Sequence, residues 1–147
     1  MSETYSVAPI GHVVNDRAEL GDDDWGPVES RIDLVAGIFE PEAMAGLAEF
    51  SHVEVVFLFH KVDPDTVHRG ARHPRGNTNW TKVGVLAQRV KNRFNRLGVS
   101  RCEVLEVGTD FLRVRGLDAV ADTPVLDIKP YMREFGPRGA GHQLYRS

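Results

Sequence analysis

The chain of 147 residues is predicted to be mostly β: a small antiparallel barrel-like domain with one or two short helices. Three observations lead there. Apolar residues recur with a period of two in several short stretches, the mark of half-buried strands. Turn residues separate neighbouring stretches, and Gly108-Thr109-Asp110 between two such runs signals a hairpin. Only one segment has helical spacing. Strands therefore do not alternate with helices, no GxGxxG is present, and the usual doubly wound nucleotide-binding layout is excluded. The length suits a single domain over residues 1–147.

Taken in order, residues 4–14 read as a first strand and 16–27 as an acidic, glycine-containing loop. In 31–38, Ile32, Leu34, Ala36 and Ile38 alternate with Arg31, Asp33 and Val35, which predicts a half-buried strand. Residues 40–50 predict a short helix: Pro41 suits a first helical position, and Met44, Leu47 and Ala48 share a face. The run HVEVVFLFHKV at 52–62 is rich in β-branched and aromatic residues and predicts a long central strand. Residues 63–80, with two prolines and three arginines, are loop. A short strand is expected at 83–88 and an irregular basic loop at 89–100. The hairpin joins 101–107 to 111–117, with Arg113 and Arg115 on one face and Leu112 and Val114 on the other. A last strand covers 125–128 and Pro130 ends it. The glycine-rich tail from Gly136 is expected to be loosely held.

The net charge of −3 conceals a division. Residues 1–65 carry fourteen acids, Asp22, Asp23 and Asp24 among them, against three bases. Residues 69–101 carry nine bases and no acid: Arg69, Arg72, Arg75, Lys82, Arg89, Lys91, Arg93, Arg96 and Arg101. Such a stretch implies an anionic partner, whether phosphate, carboxylate or nucleic acid, or else pairing with the acidic half within the fold or across a dimer. The single cysteine, Cys102, cannot form an internal disulfide, which fits a cytoplasmic protein, and it reads as a small core residue on a strand. No apolar run reaches membrane-spanning length, and residues 1–11 have no secretory pattern. His52, His60, His68 and His73 match no common zinc spacing, so no metal site is expected.

Three stretches carry a resemblance to a known family. Phe50-Ser51-His52 leads into a strand closing on Phe59-His60-Lys61. KVGVLAQR at 82–89 runs without a gap into VKNRFNRLGVS. GLDAVADTPVLDIKPY spans 116–131. Together with Ile10-Gly11 these resemble the TsaA-like (TrmO-type, YaeB-like) S-adenosylmethionine-dependent methyltransferases over about residues 7–131, leaving 132–147 as a tail. The chain departs from the family where Val90, Phe94 and Arg96 replace a proline-rich run. It departs again where Asp24-Trp25-Gly26-Pro27 stands in place of a Pro-Arg-Gln motif.

The resemblance implies a barrel-like fold that binds S-adenosyl-L-methionine, with a homodimer mate often completing the pocket. Cofactor contacts are expected at His60, Lys61, Arg89, Val99, Leu117, Asp118, Ala119 and Val120, and Trp25 and Gly26 substitute for the missing motif. The family's acceptor is N6 of threonylcarbamoyladenosine in tRNA. Other readings are a small-molecule or different acceptor, or a non-catalytic dimeric cofactor-binding module. Asp127, Lys129 and Tyr131 alternate along one strand and so share a face. A carboxylate, an amine and a phenol there can bind or deprotonate a polar acceptor, or can form a hydrogen-bonded network closing the barrel. Trp80 and Phe94, set among the bases, suit base stacking or packing.

Overall fold

Burial alternates residue by residue along the strands, and this decides which face of each meets the core. It turns Val13 of β1 (Gly11–Val14) inward, and likewise Ile32 of β2 (Glu29–Leu34) and Val53, Val55 and Phe57 of β3 (His52–Leu58). Two-residue strands β4 (Ala71–Arg72) and β5 (Val83–Gly84) pair only with each other. Ser100 and Cys102 of β6 (Leu97–Val107), Leu112 and Val114 of β7 (Phe111–Arg115) and Val125 of β8 (Pro124–Pro130) complete the inner layer. The computed structural model describes residues 3–17 and 25–145. In it, the six longer strands close into an antiparallel barrel in the order β1-β2-β7-β6-β3-β8.

The mostly-β barrel class is as the sequence predicted; several element limits are not. The first strand begins only at Gly11, and residues 3–8 run exposed. The second strand spans Glu29–Leu34 rather than 31–38. Residues 40–50 form successive turns and a 3-10 helix, Leu47–Glu49, instead of an α-helix. Their backbone bonds close over three residues, and Gly46 at φ 87° takes a left-handed conformation that interrupts any continuous helix. The only helices among the described residues are 3-10 turns. β3 stops at Leu58, before His60. The predicted strand at 83–88 keeps two residues and then turns, whereas β6 reaches back to Leu97, inside the predicted loop. Asp22, Asp23 and Asp24 lie outside the described residues.

Antiparallel closure sorts the connections by end. At one end β1 and β3 finish, β7 finishes, and β2, β6 and β8 start. The segments 15–17, 25–28, 59–62, 85–96 and 116–123 therefore meet there. The opposite end carries the turns of 35–50 and the tip of the β6–β7 hairpin. Met44 and Leu47 pack on the core from that side.

Candidate functional site at one end of the barrel

β6 is longer than its partner. β7 pairs with it only from Glu103 to Val107, so residues 97–102 have β3 on one side and, among the described residues, no strand on the other. Two groups meet that edge. Arg89 Nη2 donates to the Val99 carbonyl at 2.9 Å, and Ser100 Oγ donates to Asp118 Oδ1. Arg89 also acts on the Asp118 carboxylate electrostatically, so Arg89, Val99 and Asp118 form one cluster. Asp118 keeps contact with solvent, yet the protein around it raises its carboxyl above the ordinary range. Desolvation outweighs the Ser100 hydrogen bond and the Arg89 charge, both of which favour the ionised form.

The loop 116–123 is held from below by backbone and side-chain bonds. Gly116 N–H donates to the Val28 carbonyl at 2.9 Å, and Ala121 N–H to that of Arg17 at 2.6 Å. Asn15 Nδ2 donates to the Ala119 carbonyl at 2.9 Å and to Ser30 Oγ at 2.8 Å. Leu117, Ala119 and Val120 are buried and plug this end of the core. Of the four turn residues expected to touch a cofactor, only Asp118 offers an accessible side chain; the others have only backbone to offer. Trp25 is buried, with the Arg17 guanidinium 4.0 Å over its ring. Gly26 sits beside Gly116, where a β-carbon would stand 3.8 Å from the Gly26 carbonyl oxygen.

His60 and Lys61 follow β3 at the same end. Phe59 N–H donates to the Arg96 carbonyl at 2.8 Å, and Arg96 Nη1 donates to that of Val62 at 2.8 Å, which fixes this turn against the start of β6. His60 Nδ1 is buried and has no hydrogen-bond partner among the described residues. Burial lowers the His60 pKa, helped by Lys61 and His12 and opposed by Asp122, so the ring is neutral at pH 7. Loop 116–123 thus spans from the Arg89–Asp118 cluster at one margin to His60 at the other.

The three acceptor candidates are arranged differently. Val56 of β3 pairs with Val99 on one side and with Asp127 on the other, so Asp127 stands level with Val99 on the outer face, about 10 Å away across β3. Lys129 Nζ lies 3.0 Å from Asp127 Oδ2, and Ile128 N–H donates to Asp127 Oδ1 at 2.9 Å. Tyr131 lies just past the end of β8, four residues after Asp127, where its N–H donates to the His52 carbonyl and its ring lies 4.2 Å beneath the Arg101 guanidinium. The strand carries Lys129 and Tyr131 away from the end where the cofactor candidates gather.

Residues 63–96 leave and re-enter the barrel at that end, and they bring the bases with them. Segments 66–72 and 85–94 are stitched together. His68 N–H donates to the Asn92 carbonyl, Val85 N–H to that of Gly70, and Gln88 Nε2 to those of Arg72 and Val83. Arg93 Nη1 donates to the Gln88 carbonyl at 2.7 Å. The buried Gln88 therefore anchors the residue next to Arg89. Gln88, Ser100 and Asn15 were missed at the sequence level. A polar residue at an inward strand position, as at Ser100, was the one local signal available. Within the stretch 69–101, Arg101 pairs with Glu54 at 3.7 Å. A cleft of about 530 Å³ beside Arg31, Glu106 and Arg113 lies elsewhere, whereas one of about 350 Å³ beside Phe39, Met44 and Ile128 includes Asp127 in its lining. Among the described residues, no three His, Cys, Asp or Glu side chains converge as a metal site would require, and no helix is long and apolar enough to cross a membrane.

A closed antiparallel barrel with a cradle of loops at one end, and no strand–helix nucleotide fold, defines the class. The family described as tRNA-methyltransferase O N-terminal domain matches residues 25–136, and the chain belongs to it. A Pseudomonas aeruginosa PAO1 protein, RcsF, which carries the name of an S-adenosylmethionine-dependent methyltransferase, is 36% identical over 136 residues. That match covers 88% of this chain and 58% of the relative. The tRNA (adenine(37)-N6)-methyltransferase of Escherichia coli K12 is 36% identical over 105 residues, 69% of this chain and 44% of the relative. The crystal structure of TrmO from Pseudomonas aeruginosa superposes with a TM-score of 0.77 at 27% identity, over 99% of this chain and 64% of that one. The chain thus spans between about two fifths and two thirds of the length of these relatives.

Proposed function

We propose that this chain binds S-adenosylmethionine at the barrel end bounded by Arg89, Asp118 and His60 and transfers its methyl group to an adenine of tRNA. The finer acceptor reading is N6 of threonylcarbamoyladenosine. The observation that carries this is co-location. The family-matching loops 59–61, 89–99 and 116–120 and the base-rich segment 63–96 all belong to one barrel end. The residues present fit the cofactor. Asp118 is a carboxyl short of compensating charge, suited to a sulfonium or ammonium group. Arg89 spends one N–H on Val99 and has further donors for a carboxylate. The buried His60 Nδ1, without a hydrogen-bond partner among the described residues, suits a polar ligand atom, and the backbone of 117–120 offers donors and acceptors to an adenine edge.

When bound, S-adenosylmethionine supplies an electrophilic methyl group on sulfur. The chain's own residues orient and exclude. Leu117, Ala119 and Val120 keep water out of the core side of the site. Asp127, held by Lys129 and by the Ile128 N–H, presents a fixed carboxylate on the outer face for the polar acceptor or for the proton its nitrogen loses; Lys129 and Tyr131 extend that face. The exposed bases meet phosphates. We infer in addition that the protein acts as a homodimer in the cytoplasm. Leu97 and Val99, each more than two fifths exposed on one outer face, offer an apolar contact for a second copy.

Two measurements test the reading. Titration calorimetry with S-adenosylmethionine should give saturable heat, and ligand at a hundredfold over its Kd should raise stability by about 2.7 kcal/mol. Mass spectrometry of tRNA nucleosides, with and without the protein, should show one methylated adenosine appearing. No heat and no melting shift at millimolar ligand would overturn the cofactor assignment. Binding without nucleoside change would move the acceptor to a small molecule.

A further inference from the structure

We propose that Phe94 and Arg69 form a stacking platform for one unpaired base of an RNA loop, beside the cofactor end of the barrel. This deepens the RNA reading above and rests on it.

A single exposed phenylalanine is ordinary surface. What distinguishes Phe94 is its setting. The residue is 61% exposed, and the Arg69 guanidinium lies 5.0 Å from the ring centroid, a cation–π arrangement on a solvent-facing aromatic. Asn95 and Arg96, at φ 67° and 51°, follow in two successive left-handed conformations, which turn the chain sharply after Phe94. That turn is over-determined: Arg96 is tied to Val62 and Phe59, and Arg93 to Gln88. Phe94 is thus held at the tip of a braced loop. Trp80, by contrast, is half-buried at 5.8 Å from Tyr145, and its carbonyl bonds His73, so it packs the lobe.

The partner follows from chemistry. An aromatic face with a guanidinium beside it, in a stretch of nine bases and no acid, suits a polyanion whose flat groups are exposed. Unpaired RNA bases meet that description. A paired duplex hides its base faces and offers phosphates alone. Position also agrees. Phe94 is five residues from Arg89, so the two Cα atoms are at most about 18 Å apart, and a base stacked on Phe94 lies near the nucleotide that must reach the methyl group.

The test compares an anticodon stem–loop RNA with a fully paired duplex of the same charge, using wild type, Phe94→Ala, Phe94→Leu and Phe94→Trp, by fluorescence anisotropy. Wild type should prefer the stem–loop. Phe94→Ala and Phe94→Leu should lose about 5- to 150-fold in stem–loop affinity and almost none for the duplex. Phe94→Trp should restore the preference, with emission quenched on binding. S-adenosylmethionine affinity and melting temperature should match wild type in all three. Equal stem–loop binding by wild type and Phe94→Ala overturns the platform and leaves the RNA reading standing. Parallel loss of S-adenosylmethionine binding would assign Phe94 to the cofactor pocket and also overturn it. No RNA binding by wild type at low salt removes both, and the cofactor titration then judges the remaining half by itself.

Discussion

At the scale of single residues, electrostatics at the β6 edge makes the sharpest predictions. Arg89→Ala removes the donors left over from the Val99 bond and should weaken S-adenosylmethionine binding by about 1.5–3 kcal/mol, roughly tenfold or more. The melting temperature should change little, because the guanidinium is exposed and holds no core side chain. Calorimetry with a parallel melting curve checks both. Asp118 has a folded-state pKa raised by desolvation, so between its ordinary and raised values the folded protein holds the extra proton. Stability from this group is therefore lost as pH rises through that window, and Asp118→Asn should gain on wild type across it. A cationic ligand prefers the ionised carboxylate, so S-adenosylmethionine affinity should rise with pH over the same window, opposite to the unliganded stability. Affinity that stays flat through the window would remove Asp118 from the site. Cys102, as its sequence suggested, is a core residue. Burial, with Asp118 adding, pushes its thiol up to about 12, and it should react with a thiol reagent only after unfolding.

Elements are held to each other by close approach, and β1 shows this most clearly. A β-carbon on Gly11 would stand 2.7 Å from the Asp33 carbonyl oxygen and 3.1 Å from Ile32 Cγ2. The first contact is with backbone in a paired strand and cannot rotate away. Gly11→Ala should therefore cost about 1–3 kcal/mol, measured by denaturant unfolding with an unchanged m-value. Gly11 also pairs with both Leu34 and Val125, so the loss should appear as one cooperative transition rather than fraying of β1. The β6–β7 hairpin was legible in advance because its turn and alternation are local. The segment 40–50 was not. Its apolar spacing suits a helix, but its side chains serve to lid the barrel, and turns broken at Gly46 do this over a shorter span.

On the scale of the whole molecule, closure alters the reason for expecting a dimer. The barrel closes its six strands around the core and leaves only residues 97–102 of β6 without a strand on one side among the described residues, so a second copy finds few open sheet edges. The apolar outer face at Leu97 and Val99 takes their place, and light scattering at micromolar concentration should give twice the chain mass, reduced to one by Leu97→Glu. A wild-type monomer with methyl transfer intact would rule out a shared site. The sequence by itself determined the strand-rich class, the inward pair Leu112 and Val114, and the three family-matching stretches, because periodicity and motif are properties of neighbours along the chain. Tertiary structure alone decided that loops 59–62, 85–96 and 116–123 share one barrel end. It alone drew Lys129 and Tyr131 away from that end, turned Leu117 and Val120 into the core, and tied Arg93 and Arg96 to carbonyls while leaving Phe94 in solvent. Those outcomes depend on which strands pair and in what register, and pairing joins residues far apart in the chain through backbone groups that every residue carries alike.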